Sequence, residues 1–213
     1  MCWRGSVRRV RALVVVGVPV ARKVALPELL DGLAARGETL ATCESLTAGM
    51  LAATIAGVPG ASRVLRGGLV TYATELKSSL AHVDWEILEA HGVISAECAR
   101  AMARGAREVC GADWAISLTG VAGPDRQDDH PVGEVHVGVA GPEGLVVDTT
   151  LNLDPEFSRN EIRELACQEA IAYFASQLFL PTIGAGSAEG SSGGTSEGTS
   201  PESLRESSSA RNK

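Results

Sequence analysis

The stretch Thr39-Leu-Ala-Thr-Cys-Glu-Ser-Leu-Thr-Ala-Gly49 constrains this chain most. It starts as a short run, Thr39 to Cys43, with β-branched residues at Thr39 and Thr42. It ends in Ala48 and Gly49, small residues that open a helical run through Leu51 and Ile55. That order predicts strand, sharp turn, helix. At such a turn the side chains of Glu44, Ser45 and Thr47 sit past the carboxyl end of the strand. The unpaired N–H groups of the new helix point the same way and favour negative charge. In open α/β sheets ligands bind at this edge. Ser and Thr are also favoured as plain helix N-caps, so the stretch alone leaves a structural role open.

Composition narrows what surrounds that turn. A chain of 213 residues suits one domain plus extras, and a 45% hydrophobic fraction can build its core. Aromatic residues make up only 4%, so the core is expected to be aliphatic and rich in alanine. No apolar run approaches the length of a membrane-spanning helix. A net charge of −7 argues against a nucleic-acid surface, which needs clustered Lys and Arg. The expected partner is therefore a small-molecule substrate, with neither nucleic acid nor membrane. Cys2, Cys43, Cys98, Cys110 and Cys167 are scattered and form no CxxC pair. Neither a disulfide framework nor a thiolate zinc site is indicated, which fits a reducing cytoplasm.

The chain divides by composition into residues 1–25, 26–181 and 182–213. The first segment carries Arg4, Arg8, Arg9, Arg11, Arg22 and Lys23 around the apolar run Ala12 to Val20. It has the outline of a secretory signal, but Arg22 and Lys23 follow directly and no small-x-small cleavage site is present. A disordered basic extension is the expectation. From Gly184 onward Gly, Ser, Thr and Glu dominate, and such a tail buries too little surface to offset its ordering entropy.

Between them the pattern alternates helix and strand. Pro27 and Gly37 bracket a first helix. Gly68 to Ala73, Asp113 to Thr119, Glu134 to Ala140 and Leu145 to Leu151 read as further strands, the last two as a hairpin around Gly141-Pro-Glu-Gly144. Leu76 and Leu80 suggest a short helix with Lys77 near its start. Asp84 and Ser95 are candidate caps for two more helices, the second spanning Ala96 to Cys110. A last helix runs from about Ser158 to Leu178. Helical crossovers make the first three strands parallel and the hairpin adds antiparallel pairs. The expected fold is a three-layer α/β/α domain with a mixed, mostly parallel sheet.

The strand ends collect polar groups. The first offers Glu44, Ser45 and Thr47; the second Thr71 and Tyr72, then Lys77. The third offers Ser117 and Thr119, then the loop Gly120-Val-Ala-Gly-Pro-Asp125. Arg159 and Arg163 lie one turn apart on the last helix. A hydroxyl nucleophile needs a base, and a buried Lys with a depressed pKa can serve. N–H groups of a glycine-rich turn can hold an oxyanion, and paired arginines suit a phosphate. Each residue also has an ordinary reading: Lys77 as a solvated face, the arginines as partners of Glu156, Glu161 or Glu164. Asp125, Asp128, Asp129 and His130 have the look of a metal cluster, but His82, His91, His130 and His136 show no HExxH or paired spacing. A solvated loop is expected there and no metal or other cofactor is assigned. Cys43, at the strand end beside Glu44 and Ser45, reads as a buried small apolar residue.

CESLTAG, RGGLVTYATELK, HGVIS, SLTGVAGPD and PVGEV, in that order and spacing, resemble the CinA C-terminal-domain family, whose stand-alone members include nicotinamide-nucleotide amidohydrolases. The resemblance covers about residues 27–180. It implies an anticodon-binding-domain-like sheet fold and a homo-oligomer. It also implies hydrolysis of the carboxamide of nicotinamide mononucleotide (NMN) to nicotinic acid mononucleotide and ammonia, in pyridine-nucleotide salvage. On that footing Ser45, Lys77, Tyr72 and Thr47 are the catalytic set, with Tyr72 assisting Lys77. Glu44, Gly49, Thr119, Gly120, Ala122, Gly123, Arg159 and Arg163 are the substrate-binding set. This sequence departs from the family pattern in three places. Ala48 stands where a glycine is usual. Arg126-Gln-Asp-Asp-His-Pro-Val-Gly133 replaces a Gly-Gly…Lys-Pro-Val-Gly loop. Phe157-Ser158-Arg159 replaces Gly-Asp-Arg. Two other functions remain open at this level: a non-catalytic partner in competence or DNA-damage responses, and an amidase for another small amide.

Overall fold

Alternation in the short apolar runs decides which way each strand faces. A computed structural model describes residues 25–178. It contains a five-stranded sheet in the order β2-β1-β3-β4-β5. The strands are β1 Leu40–Glu44, β2 Leu65–Val70, β3 Trp114–Gly120, β4 Glu134–Ala140 and β5 Val146–Asn152. β1 runs parallel to β2 and β3, and β3-β4 and β4-β5 are antiparallel. The helices are α1 Leu26–Arg36, α2 Met50–Ala56, α3 Thr74–Ala81, α4 Trp85–His91, α5 Ala96–Cys110 and α6 Arg159–Leu178. The mixed α/β/α architecture expected from the sequence is the one observed. The flanking segments 1–25 and 182–213 lie outside the described residues, apart from Ala25.

Two apolar layers sandwich the sheet. Leu40 of β1, Ile116 and Leu118 of β3 and Val135, Val137 and Val139 of β4 pack with α1, α2 and α6 through Leu33, Ile55, Ile162 and Phe174. The intervening residues Ala41, Cys43 and Ala115 face the other way, against Ala81 of α3, Leu88 of α4 and Met102 of α5. The core is aliphatic and alanine-rich as composition required, and among the described residues Trp114 packs edge-on to Phe174 at 5.5 Å within it. Small residues set the layer spacing on the α5 side. A Cβ on Gly105 would fall 1.6 Å from the Ala81 carbonyl oxygen, so only glycine lets α5 cross α3 this closely.

Capping follows the sequence in most places. Gly37 closes α1 in the left-handed region, at φ 67°. Ser95 caps α5 by accepting from Cys98 N–H at 3.1 Å. Ser158 and Glu161 form a reciprocal box at the start of α6. Asp84 occupies the N-cap position of α4 with no side-chain cap bond. The register of β2 differs from the expected Gly68–Ala73. Parallel pairing of Leu40 with Leu65 and of Glu44 with Val70 moves the strand three residues earlier. Thr71 and Tyr72 therefore leave the strand and join the turn that feeds α3. That shift brings the polar end of β2 level with the end of β1.

Candidate active site

The ends of β1, β2 and β3 meet at one edge of the sheet, and a cavity opens there. Ser45, Tyr72, Lys77, Thr119 to Gly123 and Arg159 line it. Ser45 follows β1 directly and its N–H is bonded to the Leu118 carbonyl, which fixes it beside β3. Lys77 is the fourth residue of α3, so its side chain runs back along the helix toward the β2 turn. Its Nζ lies 3.0 Å from Ser45 Oγ and 2.9 Å from the Thr71 carbonyl oxygen. The residue is only 2% exposed. Burial pushes the Lys77 amine below its ordinary value, against smaller opposing effects of Cys98 and Cys43. A neutral amine here can donate to the Thr71 carbonyl while its lone pair accepts the Ser45 hydroxyl proton. Cys43, one residue before Glu44, is excluded as a nucleophile at neutral pH. Desolvation pushes its thiol up to about 12, and it is fully buried against Thr71.

The Glu44 carboxylate is occupied by the fold. Its two oxygens accept from Gly49, Leu51 and Ala52 N–H at 2.8–2.9 Å and from the Thr42 hydroxyl at 3.1 Å. It caps α2 from below, the place where the free donors of a helix and its dipole both favour an anion. Gly49 serves the same turn, at φ 93°, and Ala48 before it takes φ 50°. Neither Glu44 nor Gly49 lines the cavity.

The two arginines separate. Arg159 lines the cavity, donating to the Gly123 carbonyl and, at 2.8 Å, to the Tyr72 hydroxyl. Arg163 instead grips the nucleophile turn from behind, donating to the carbonyls of Leu46 at 3.0 Å and Thr47 at 2.8 Å. Tyr72 is 55% exposed and its hydroxyl meets Arg159, not Lys77. Leaving β2 one residue after Thr71, it turns outward where Thr71 turns in. Thr47 is fully buried, and its hydroxyl has no partner among the described residues. Thr119 donates to the Val93 carbonyl and holds the α4–α5 connection against the rim. Gly120 is bound into the β3-β4 ladder opposite Val135. Among the described residues, the N–H groups of Leu46, Thr47, Ala122 and Gly123 take no backbone or side-chain acceptor, and Leu46, Ala122 and Gly123 line the cavity. They are its candidate oxyanion donors.

Thr74, Asp125 and Gln127 also line the cavity. Asp125 ends the Gly120–Asp125 loop that the sequence places at the third strand end. Thr74 had a signal too, since it opens the helix that carries Lys77. Gln127 had none, because a loop's path is not written in local periodicity. Asp125, Asp128 and Asp129 do not gather around His130. His130 joins Glu134 and His136 instead.

A profile of the CinA C-terminal domain matches residues 24–178. The chain belongs to that family. A CinA-like protein of Frankia casuarinae is 51% identical over 118 residues, 55% of this chain and 27% of that protein. A CinA-like protein of Anaeromyxobacter sp. strain K is 48% identical over 149 residues, 68% of this chain and 36% of that protein. The chain thus spans about a third or less of these curated relatives. The crystal structure of the competence damage-inducible protein A of Klebsiella pneumoniae superposes with a TM-score of 0.68 at 29% identity, covering 72% of this chain and 94% of that one. This CinA-family fold carries its Ser45–Lys77 pair at the carboxyl edge of the sheet. No helix among the described residues is long and apolar enough to cross a membrane.

Proposed function

We propose that this CinA-family domain is an amidohydrolase that converts NMN to nicotinic acid mononucleotide and ammonia. The observation that carries the reading is the buried Lys77 amine 3.0 Å from Ser45 Oγ at the cavity floor. In the proposed cycle neutral Lys77 takes the Ser45 hydroxyl proton as Oγ bonds to the carboxamide carbon. N–H groups of Leu46 and Ala122 hold the oxygen that becomes negative. The C–N bond breaks, the proton returns from Lys77, and ammonia leaves. Water then cleaves the acyl–serine ester, with Lys77 again accepting and returning one proton. The cycle needs no cofactor. Arg159, at the open side with Tyr72, supplies the positive charge that suits the substrate phosphate.

Asp125 favours a second reading. It shares the cavity lining with Arg159 and sets a negative charge against any phosphate there. An amidase for an uncharged or cationic small amide accommodates it better. Ammonia release measured across NMN, NAD, nicotinamide riboside and nicotinamide separates the two. The first reading expects NMN fastest by a wide margin. Riboside turned over as fast as NMN would favour the second, and no ammonia from any of them would overturn the amidase reading. We further propose that the domain works as a homo-oligomer. Edge strand β2 ends in Val70, 43% exposed, and Tyr72 follows it, so a second copy has an apolar edge to cover. A monomeric mass by light scattering would remove that proposal.

A further inference from the structure

We propose that His130, Glu134 and His136 form a site for one divalent transition-metal ion, of the kind that zinc, cobalt and nickel represent. Glu134 and His136 are two apart on β4 and so share a face of the sheet, the face turned toward α5. The loop before β4 folds back through a bridge between Gln127 and His130, which delivers the third side chain to the same place. His130 Nδ1 and His136 Nε2 then lie 2.8 and 2.9 Å from one and the same atom, Glu134 Oε1. One ligand atom from each residue lies within 4.8 Å of the others.

The geometry is close to what such an ion needs. Zinc sits about 2.0–2.2 Å from nitrogen and carboxylate ligands, which places tetrahedral ligand atoms about 3.3 Å apart. The two ring nitrogens therefore need to withdraw from Oε1 by only about 0.5 Å and lean toward each other. Neutral rings bind through the lone pair, so each proton moves to the other ring nitrogen and none is lost overall. For His136 that nitrogen is Nδ1, and the Thr150 hydroxyl stands 3.1 Å from it. This is the outer partner that fixes the orientation of a metal-bound imidazole. Two imidazoles and one carboxylate select the transition series over magnesium or calcium, which prefer all-oxygen shells. His136 is nearly buried, while the His130 side chain is 31% exposed and leaves a path in from solvent.

The ion would tie the 124–133 loop to the sheet. Gln127, whose N–H and carbonyl pair with His130, lines the cavity beside Ser45. None of the three ligands lines the cavity of Ser45 and Lys77. The test uses the tag-free full chain, stripped with chelator and titrated with cobalt(II) and zinc(II). One ion per chain by atomic absorption is expected. A visible cobalt spectrum without the near-ultraviolet thiolate band should accompany it, since no cysteine is a ligand. Glu134→Gln and His130→Asn should each abolish the stoichiometric ion, the second at a part-exposed loop residue. Thr150→Val should weaken affinity about 10–100-fold. No ion bound by the stripped chain, a thiolate band, or an ion retained by folded Glu134→Gln and His130→Asn proteins would each overturn the site. The trio would then be a hydrogen-bond network alone.

Discussion

Lys77 Nζ stands 3.0 Å from Ser45 Oγ, although the two residues are 32 positions apart and sit on different crossovers. Parallel pairing of β1 with β2 is what joins them, because both follow the carboxyl ends of neighbouring strands. If they act as one unit, Ser45→Ala and Lys77→Met each abolish NMN hydrolysis, and the double mutant is no slower than either single one. The methionine keeps the packing of the lysine stem, and circular dichroism checks that all three fold. A folded Ser45→Ala protein with near-normal ammonia release removes Ser45 as nucleophile.

Titration of Lys77 gives a second prediction, with its sign. Burial lowers its folded pKa below the unfolded value, near 10.4. Between those two values the unfolded chain binds more protons than the folded one, so stability rises with pH through that window. Activity rises in the same direction, because only the neutral amine accepts the serine proton. The expected kcat/KM profile climbs through a pKa below 10.4 and then levels off. An ascending limb at the ordinary lysine value would show a solvated Lys77.

Strand direction, the layered packing and the Ser45–Lys77 edge were legible, because alternation sets the faces and helical crossovers make the first three strands parallel; the order of the strands in the sheet was not. Neither was the register of β2. The sequence starts the strand at Gly68 and carries it through Thr71-Tyr72 to Ala73, yet pairing with β1 places both Gly67 and Gly68 inside the strand and ends it at Val70. Gly68 sits there because a Cβ would fall 2.4 Å from Thr42 Oγ1. The role of Glu44 was equally hidden. An acid before a helix has the same appearance as ligand or as cap, and only the convergence of three N–H groups on it distinguishes them. The His130–Glu134–His136 cluster depends on a loop turning back, which no periodicity encodes.

The arginines should fail differently. Arg159→Ala removes a charge from the cavity, and a charged hydrogen bond is worth about 1.5–3 kcal/mol, so KM for NMN should rise roughly 10–100-fold with kcat less affected. Arg163→Ala leaves the cavity charge intact but frees the Leu46 and Thr47 carbonyls. It should lower kcat and the melting temperature with little change in KM. Identical kinetic signatures for the two variants would contradict this division.

Ala48 holds a backbone conformation that glycine holds without strain. Its φ of 50° costs a Cβ-bearing residue about 1 kcal/mol, partly offset because alanine restricts the unfolded chain. Ala48→Gly should therefore leave the melting temperature unchanged or raise it by about 2–4 °C, with activity retained. A clear drop would mean that the methyl group packs against something the turn requires.

Glu44→Gln tests whether the acid belongs to the fold or to the substrate. The amide matches the carboxylate in shape but turns one acceptor into a donor, facing helix N–H groups that also donate. One or two buried donors of α2 lose their acceptor, at about 1–3 kcal/mol each. For a domain of this size about 3 kcal/mol corresponds to a fall of roughly 6–12 °C in melting temperature. The turn that carries Ser45 loosens with it, so kcat should fall while KM for NMN stays near its original value, since no oxygen of Glu44 faces the cavity. A variant with an unchanged melting temperature and a raised KM would reverse the assignment and return Glu44 to the substrate.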